Sequence, residues 1–190
     1  MSDTMRRALM FLIDTLFNLY LFILVVRLVL AWVRSDYFNP VTQFVVKMTD
    51  IFVRPLRRIF PNIKNLETAT LVLILVIEMV KFFLITFISY GFPNLLGLPI
   101  LASADLLYLI LQTFTYAIIL QAILSFVQPA SPLLHVLYRF SSPIMRPIQR
   151  LVPPVGGIDL SPIPALIILQ LMGIVLVTPL MALGQGITLG

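Results

Sequence analysis

Four stretches of the chain are almost unbroken runs of apolar residues, near 8–33, 69–87, 106–127 and 163–183. Each reaches the roughly 20 helical residues that cross a bilayer. Backbone groups in lipid must be satisfied within the segment, so each run predicts a transmembrane helix. The first run is longer than a signal-peptide core and lacks a small-residue cleavage site, which predicts that it stays as an anchor. Between runs one and two the pattern changes. Val41, Phe44, Val45, Met48, Ile51, Phe52, Leu56 and Ile59 recur at helical spacing, with Gln43, Lys47, Asp50, Arg54 and Arg58 opposite. This predicts an amphipathic interfacial helix over 40–60, kinked or restarted at Pro55. Between runs three and four, Leu133, Leu134, Val136, Leu137 and Phe140 predict a shorter counterpart within 132–152, with Ser142 capping a new turn at Pro143.

The chain also matches itself. Arg54-Pro55-Leu56-Arg57-Arg58-Ile59-Phe60-Pro61 aligns with Arg146-Pro147-Ile148-Gln149-Arg150-Leu151-Val152-Pro153 at an offset of 92. Pro40 with Pro132 and Glu67 with Asp159 share that offset, while Ala31-Trp32-Val33-Arg34 aligns with Ser125-Phe126-Val127-Gln128 at 94. Each unit reads helix, basic amphipathic segment, helix, and crosses the membrane twice. The two units, 8–90 and 106–183, are therefore expected to be parallel repeats about an axis along the membrane normal. The fold class expected is an all-α membrane protein of four transmembrane helices.

Composition agrees and removes other classes. Of 190 residues, 60% are hydrophobic and 11% charged, against about 25% charged in soluble domains. There is no cysteine and one histidine, His135, which leaves no disulfide framework, thiolate metal site or multi-histidine centre in one copy. Of 13 basic residues, nine lie in the two segments joining runs one to two and three to four. The positive-inside rule then places both segments in the cytoplasm and both termini opposite, although Arg6-Arg7 before the first run pulls the other way. The net charge of +5 comes from those two segments. With no aromatic stacking platform beside it, the charge points to anionic phospholipid and not to nucleic acid.

Charges inside the runs are the sharpest functional signals, since each is costly in lipid when unpaired. Asp14 and Arg27 fall in the first run, Glu78 and Lys81 in the second. Glu78 and Lys81 are three apart and share a helix face, while Asp14 and Arg27 have the reach to snorkel toward opposite surfaces. Arg27 and Glu78 also map onto Gln121 and Gln170, which suggests an Arg27–Glu78 pair replaced by an amide pair in the second unit. Static structural pairing and an ion or proton path are both open readings of these residues. Asn18 and Gln112 read as interhelical hydrogen-bond partners. His135 is either an ordinary interfacial side chain or a pH sensor. Asp159 or Ser161 is expected to cap the last helix. No triad, phosphate loop or metal motif is present in the sequence, so no enzyme activity is expected.

The paired Arg-Pro-x-x-Arg-x-x-Pro segments, Asp36-Tyr37-Phe38-Asn39-Pro40 and Gly156-Gly157-Ile158-Asp159-Leu160-Ser161-Pro162 resemble the YggT family, small bacterial membrane proteins with plastid relatives. The resemblance covers nearly the whole chain. The first unit departs from it, with Asn62-Ile63-Lys64-Asn65-Leu66-Glu67-Thr68 in place of the Gly-Gly turn. The resemblance implies a bacterial cytoplasmic-membrane protein linked to osmotic stress and potassium homeostasis. For relatives it implies links to division-site or cytochrome assembly, where a haem role would fall to His135 or a partner. It brings no catalytic residue and no cofactor. A non-enzymatic factor acting through anionic lipid and through a membrane-protein partner or homo-oligomer is the leading expectation, with Arg54, Arg57, Arg58, Arg146 and Arg150 as the lipid-facing set. A small channel or potassium-uptake component is the alternative.

Overall fold

The computed structural model describes residues 3–35, 38–152 and 159–190. These form α1 (Asp3–Trp32), α2 (Pro40–Leu56), α3 (Thr68–Tyr90), α4 (Leu98–Val127), α5 (Pro132–Leu151) and α6 (Pro162–Leu189). Helices α1, α3, α4 and α6 are long and apolar enough to cross a membrane. Their outer faces carry exposed large apolar residues such as Phe11, Leu16, Val76, Ile123 and Val175, as lipid contact requires. Helix α4 is the hub, packed against α1, α3, α5 and α6, while α2 rests on α1 and α3.

The apolar helices α4 and α6 approach closely through small residues. A Cβ on Gly97 would lie 2.1 Å from Thr188 Oγ1 and 2.8 Å from the Gly184 carbonyl oxygen. The Asn94 amide donates to the Thr188 carbonyl at 3.0 Å, tying the end of α6 to the segment before α4. Within α6 a π turn spans Gly173–Val177. Pro179 follows, and its missing N–H leaves the Val175 carbonyl without its usual helical donor, a common cause of such widening.

Two sequence expectations change here. Helix α4 begins at Leu98, eight residues before the expected start, so Asp105 lies inside the helix. Helix α5 does not restart at Pro143. It runs through Pro143 and Pro147 and, at 20 residues, is longer than the 17-residue α2. Ser142 caps no new turn. Its hydroxyl donates to the Arg139 carbonyl at 2.7 Å, replacing the amide that Pro143 lacks. Pro55 falls in the last turn of α2, where its effect is small.

Helix α1 ends in a Schellman turn. The Ser35 amide donates to the Leu30 carbonyl and the Arg34 amide to the Ala31 carbonyl, at 2.9 and 3.1 Å. Arg34 itself takes the left-handed position at φ 53°. Glycine usually fills that place, and a side chain there costs on the order of 1 kcal/mol.

Candidate functional site

Arg27 sits near the end of α1 that leads into α2 and is only 3% exposed. It does not snorkel to the surface as its length permits, because α2 folds back over it and supplies partners. Arg27 Nε and Nη2 donate to the Glu67 carboxylate at 2.7 and 3.0 Å, a two-pronged contact that suits a planar guanidinium. Nη2 also lies 2.8 Å from Asp50 Oδ1, and Nη1 donates to Thr49 Oγ1 at 2.7 Å. Glu67 precedes α3 and accepts further hydrogen bonds from Arg57 and from Thr70. Burial works against the Glu67 charge. The hydrogen bonds from Arg27 and Thr70, with the charges of Arg27 and Arg57, outweigh it and hold its pKa below the usual carboxylate value. A cavity of about 190 Å³ adjoins the cluster, and the buried hydroxyls of Ser35 and Thr42, which line it, make no hydrogen bond.

A second cluster lies deeper. Glu78 and Lys81 of α3 are buried among the spans, with Lys81 Nζ 2.7 Å from Glu78 Oε2. Lys81 also donates to Asp105 of α4 and, at 2.9 Å, to Asn18 of α1. The ammonium thus hydrogen-bonds to α1 and α4 while ion-pairing within α3. Two carboxylates face one ammonium, and neither oxygen of Glu78 accepts a hydrogen bond. Asp105 reaches a groove of about 440 Å³ between α4 and α6, lined also by Tyr108, Gln112, Thr115 and Gln170 and by Gly173 of the π turn.

The expected Arg27–Glu78 pair does not form. Glu67 is a nearer partner for Arg27, because the connection before α3 enters the polar layer where a depth count from the apolar spans leaves it outside. Gln170 is exposed at the groove and does not meet Gln121. Gln121, buried in α4, instead accepts from Ser141 Oγ of α5. Asp159 is not a cap on the main chain of α6. It accepts from the Ser161 amide at 2.9 Å and from Gln149 at 3.0 Å, and although burial opposes its charge, the bonds from Ser161 and Gln149 lower its pKa.

Asp14 is exposed on α1, and Arg54 and Arg58 are exposed at the end of α2 and just beyond it. Arg57 is drawn into the Glu67 cluster, whereas Arg146 and Arg150 face a groove shared with Arg34 and Arg139. His135 is exposed, with Nδ1 3.4 Å from the Ser131 carbonyl. Asp36, Tyr37, Pro153 and the Gly156-Gly157-Ile158 turn lie outside the described residues. Sequence reasoning left Thr49, Thr70 and Asp105 without a role. Asp105 was legible as the one charge in an apolar run that continues upstream to Leu98.

The family model described as CCB3/YggT matches residues 6–88 and 100–180. The chain is 34% identical to "Uncharacterized protein YggT" of Escherichia coli (strain K12), over 94% of each chain. It is 35% identical to "Uncharacterized protein PA0392" of Pseudomonas aeruginosa, over 94% of this chain and 93% of the relative. It is 36% identical to "Uncharacterized protein in proC 3'region" of Vibrio alginolyticus, over 81% and 85%. No solved structure matches it.

Proposed function

The chain belongs to the CCB3/YggT family, and from that premise we propose a non-enzymatic protein of the bacterial cytoplasmic membrane that works through contacts with anionic lipid and with membrane-protein partners or further copies of itself. Its role is support of osmotic and potassium homeostasis or of envelope biogenesis. The basic helices α2 and α5 face the cytoplasm and the termini face the other side. The two halves act as parallel repeats of helix, amphipathic helix and helix.

One observation carries this reading. Helix α2 buries Thr42, Val45, Thr49 and Val53 against the bundle, yet leaves Phe44, Met48, Ile51 and Phe52 exposed, with exposed Lys47 and Arg54 on the same helix. Apolar side chains flanked by basic ones, on a helix beside the spans, suit a headgroup layer. The two stretches matched by the family model, one per half, support the repeat reading.

The test is lipid retention by the full-length protein during delipidation in detergent, comparing phosphatidylglycerol with phosphatidylcholine. Preferential retention of phosphatidylglycerol is expected, and it should fall when Arg54, Arg57, Arg58, Arg146 and Arg150 are changed to Gln. Equal retention by wild type and variant at low and physiological salt would sink the reading. Cysteine-accessibility mapping must accompany the series, because the same changes remove the charge bias that orients the chain.

A second reading, a small conducting protein, rests on Glu78, Lys81 and Asp105 beside the α4–α6 groove. Charged groups inside spans often mark ion or proton paths. Reproducible potassium flux into liposomes, abolished by Glu78→Ala, would favour it over the lipid-contact reading.

A further inference from the structure

We propose that the groove between the end of α1 and α5 is a site for a phospholipid headgroup bearing two phosphates. The inference rests on the lipid-contact reading above and narrows it to one place and one ligand chemistry. The groove measures about 630 Å³ and is lined by Arg34, Arg139, Arg146 and Arg150, with Trp32 at its edge. Arg139, Arg146 and Arg150 follow one another at intervals of seven and four, which keeps them on one face of α5. Among the described residues none of these four arginines forms an ion pair. In the same structure Arg27 and Arg57 are each matched to a carboxylate. Four arginines lining one open volume call for more than a single negative charge, and phosphate oxygens suit their forked donors.

The way Arg34 is placed gives a second, independent argument. It occupies the left-handed position of the Schellman turn, where glycine would fit without strain. An arginine kept there against its backbone preference points to a use for its side chain. Asn65 accepts from Arg34 Nε at 2.8 Å, and Arg139 Nη1 reaches the Arg34 carbonyl at 3.4 Å, so the turn and α5 are held together at the groove. The apolar body of Trp32, 48% exposed beside the arginines, fits the boundary between headgroup and acyl chain.

Trp32 is the only tryptophan in the chain and reports on its own surroundings. The full-length protein in phosphatidylcholine nanodiscs would be titrated with brominated cardiolipin, brominated phosphatidylglycerol or brominated phosphatidylcholine, and Trp32 quenching followed. Counted per lipid phosphate, cardiolipin should reach half-maximal quenching at a fraction at least fivefold lower than phosphatidylglycerol. The double change Arg34→Gln and Arg139→Gln should erase that difference, while Arg7→Gln, exposed at the far end of α1 from the groove, should keep it, with circular dichroism confirming the fold. Equal quenching by all three lipids in the wild-type protein would overturn the proposal. Reversal of quenching by millimolar inorganic phosphate would overturn it too, by making the occupant a free anion. If phosphatidylglycerol is retained in detergent but Trp32 shows no preference, this site fails and the broader reading stands. If no anionic lipid is retained, both fall.

Discussion

In the first half, Arg27, Thr49, Arg57 and Glu67 form one connected charged network; at the aligned positions of the second half, Gln121 meets Ser141 and Gln149 meets Asp159, in two separate pairs. The partners correspond even though their chemistry differs. Arg27–Thr49 has become Gln121–Ser141, and Arg57–Glu67 has become Gln149–Asp159. Deeper in the spans, Glu78 and Lys81 align with Gln170 and Gly173, and the second half has an open groove where the first has a buried charge cluster. Among the described residues, the second half holds its helix–amphipathic helix–helix arrangement with Asp105, which pairs with Lys81 of the first half, as its one buried charge. Buried ion pairs are weak evidence for stability, since apolar or neutral replacements are often as stable. The buried charges are concentrated in the first half, which makes that half the place to look for specialisation.

The comparison breaks most sharply if the network loses its arginine. Arg27→Gln leaves Glu67 and Asp50 in a layer that keeps only the half-exposed Arg57 as counter-charge, and should cost about 3–5 kcal/mol in mixed-micelle unfolding. Adding Glu67→Gln should cost less than the sum of the single changes, because the pair is coupled. Strict additivity would dissolve the network as a unit. In the second half, Gln121→Leu strands only the Ser141 hydroxyl and should cost about 1–3 kcal/mol in the same assay. A loss as large as that of Arg27→Gln would show that charge is not what separates the halves.

Acid provides a finer test. The Glu67 pKa is lowered in the folded protein, so its contribution is complete above the ordinary value of 4.5 and is lost as pH falls through the depressed folded value. Unfolding curves of wild type and Glu67→Gln should therefore draw together below about pH 4, given ordinary carboxylate titration. Curves that stay parallel into acid would remove the charge of Glu67 from the account. The smallest effect is expected at Gln149→Ala, since Gln149 and Asp159 are exposed, and a change within about 0.5 kcal/mol should result.

The four long helices were legible because lipid imposes length and apolarity on any span, and the amphipathic helices because their period is 3.6. Partners inside the bundle were harder to read. Asp105 lay beyond a helix start drawn at Leu106, although α4 continues to Leu98. Depth within the spans points Arg27 toward Glu78, whereas its partners Thr49, Asp50 and Glu67 arrive from α2 and the connection before α3. Local sequence does not encode that fold-back. The run through Pro143 is illegible for a related reason: the repair by Ser142 is a side-chain hydrogen bond that helix propensity does not encode.

The spacing of Glu78 and Lys81 on one face of α3 has a consequence for how the chain is made. A lone lysine or acid at mid-membrane resists insertion by about 2.5–3.5 kcal/mol. Helix α3 emerges from the ribosome before α4, so Asp105 is not yet available to it. With Glu78 one turn away, the helix leaves the translocon carrying its own counter-ion and enters lipid as a nearly neutral rod. Asn18 of α1 is already made when α3 arrives, and Asp105 closes on Lys81 last, as α4 docks.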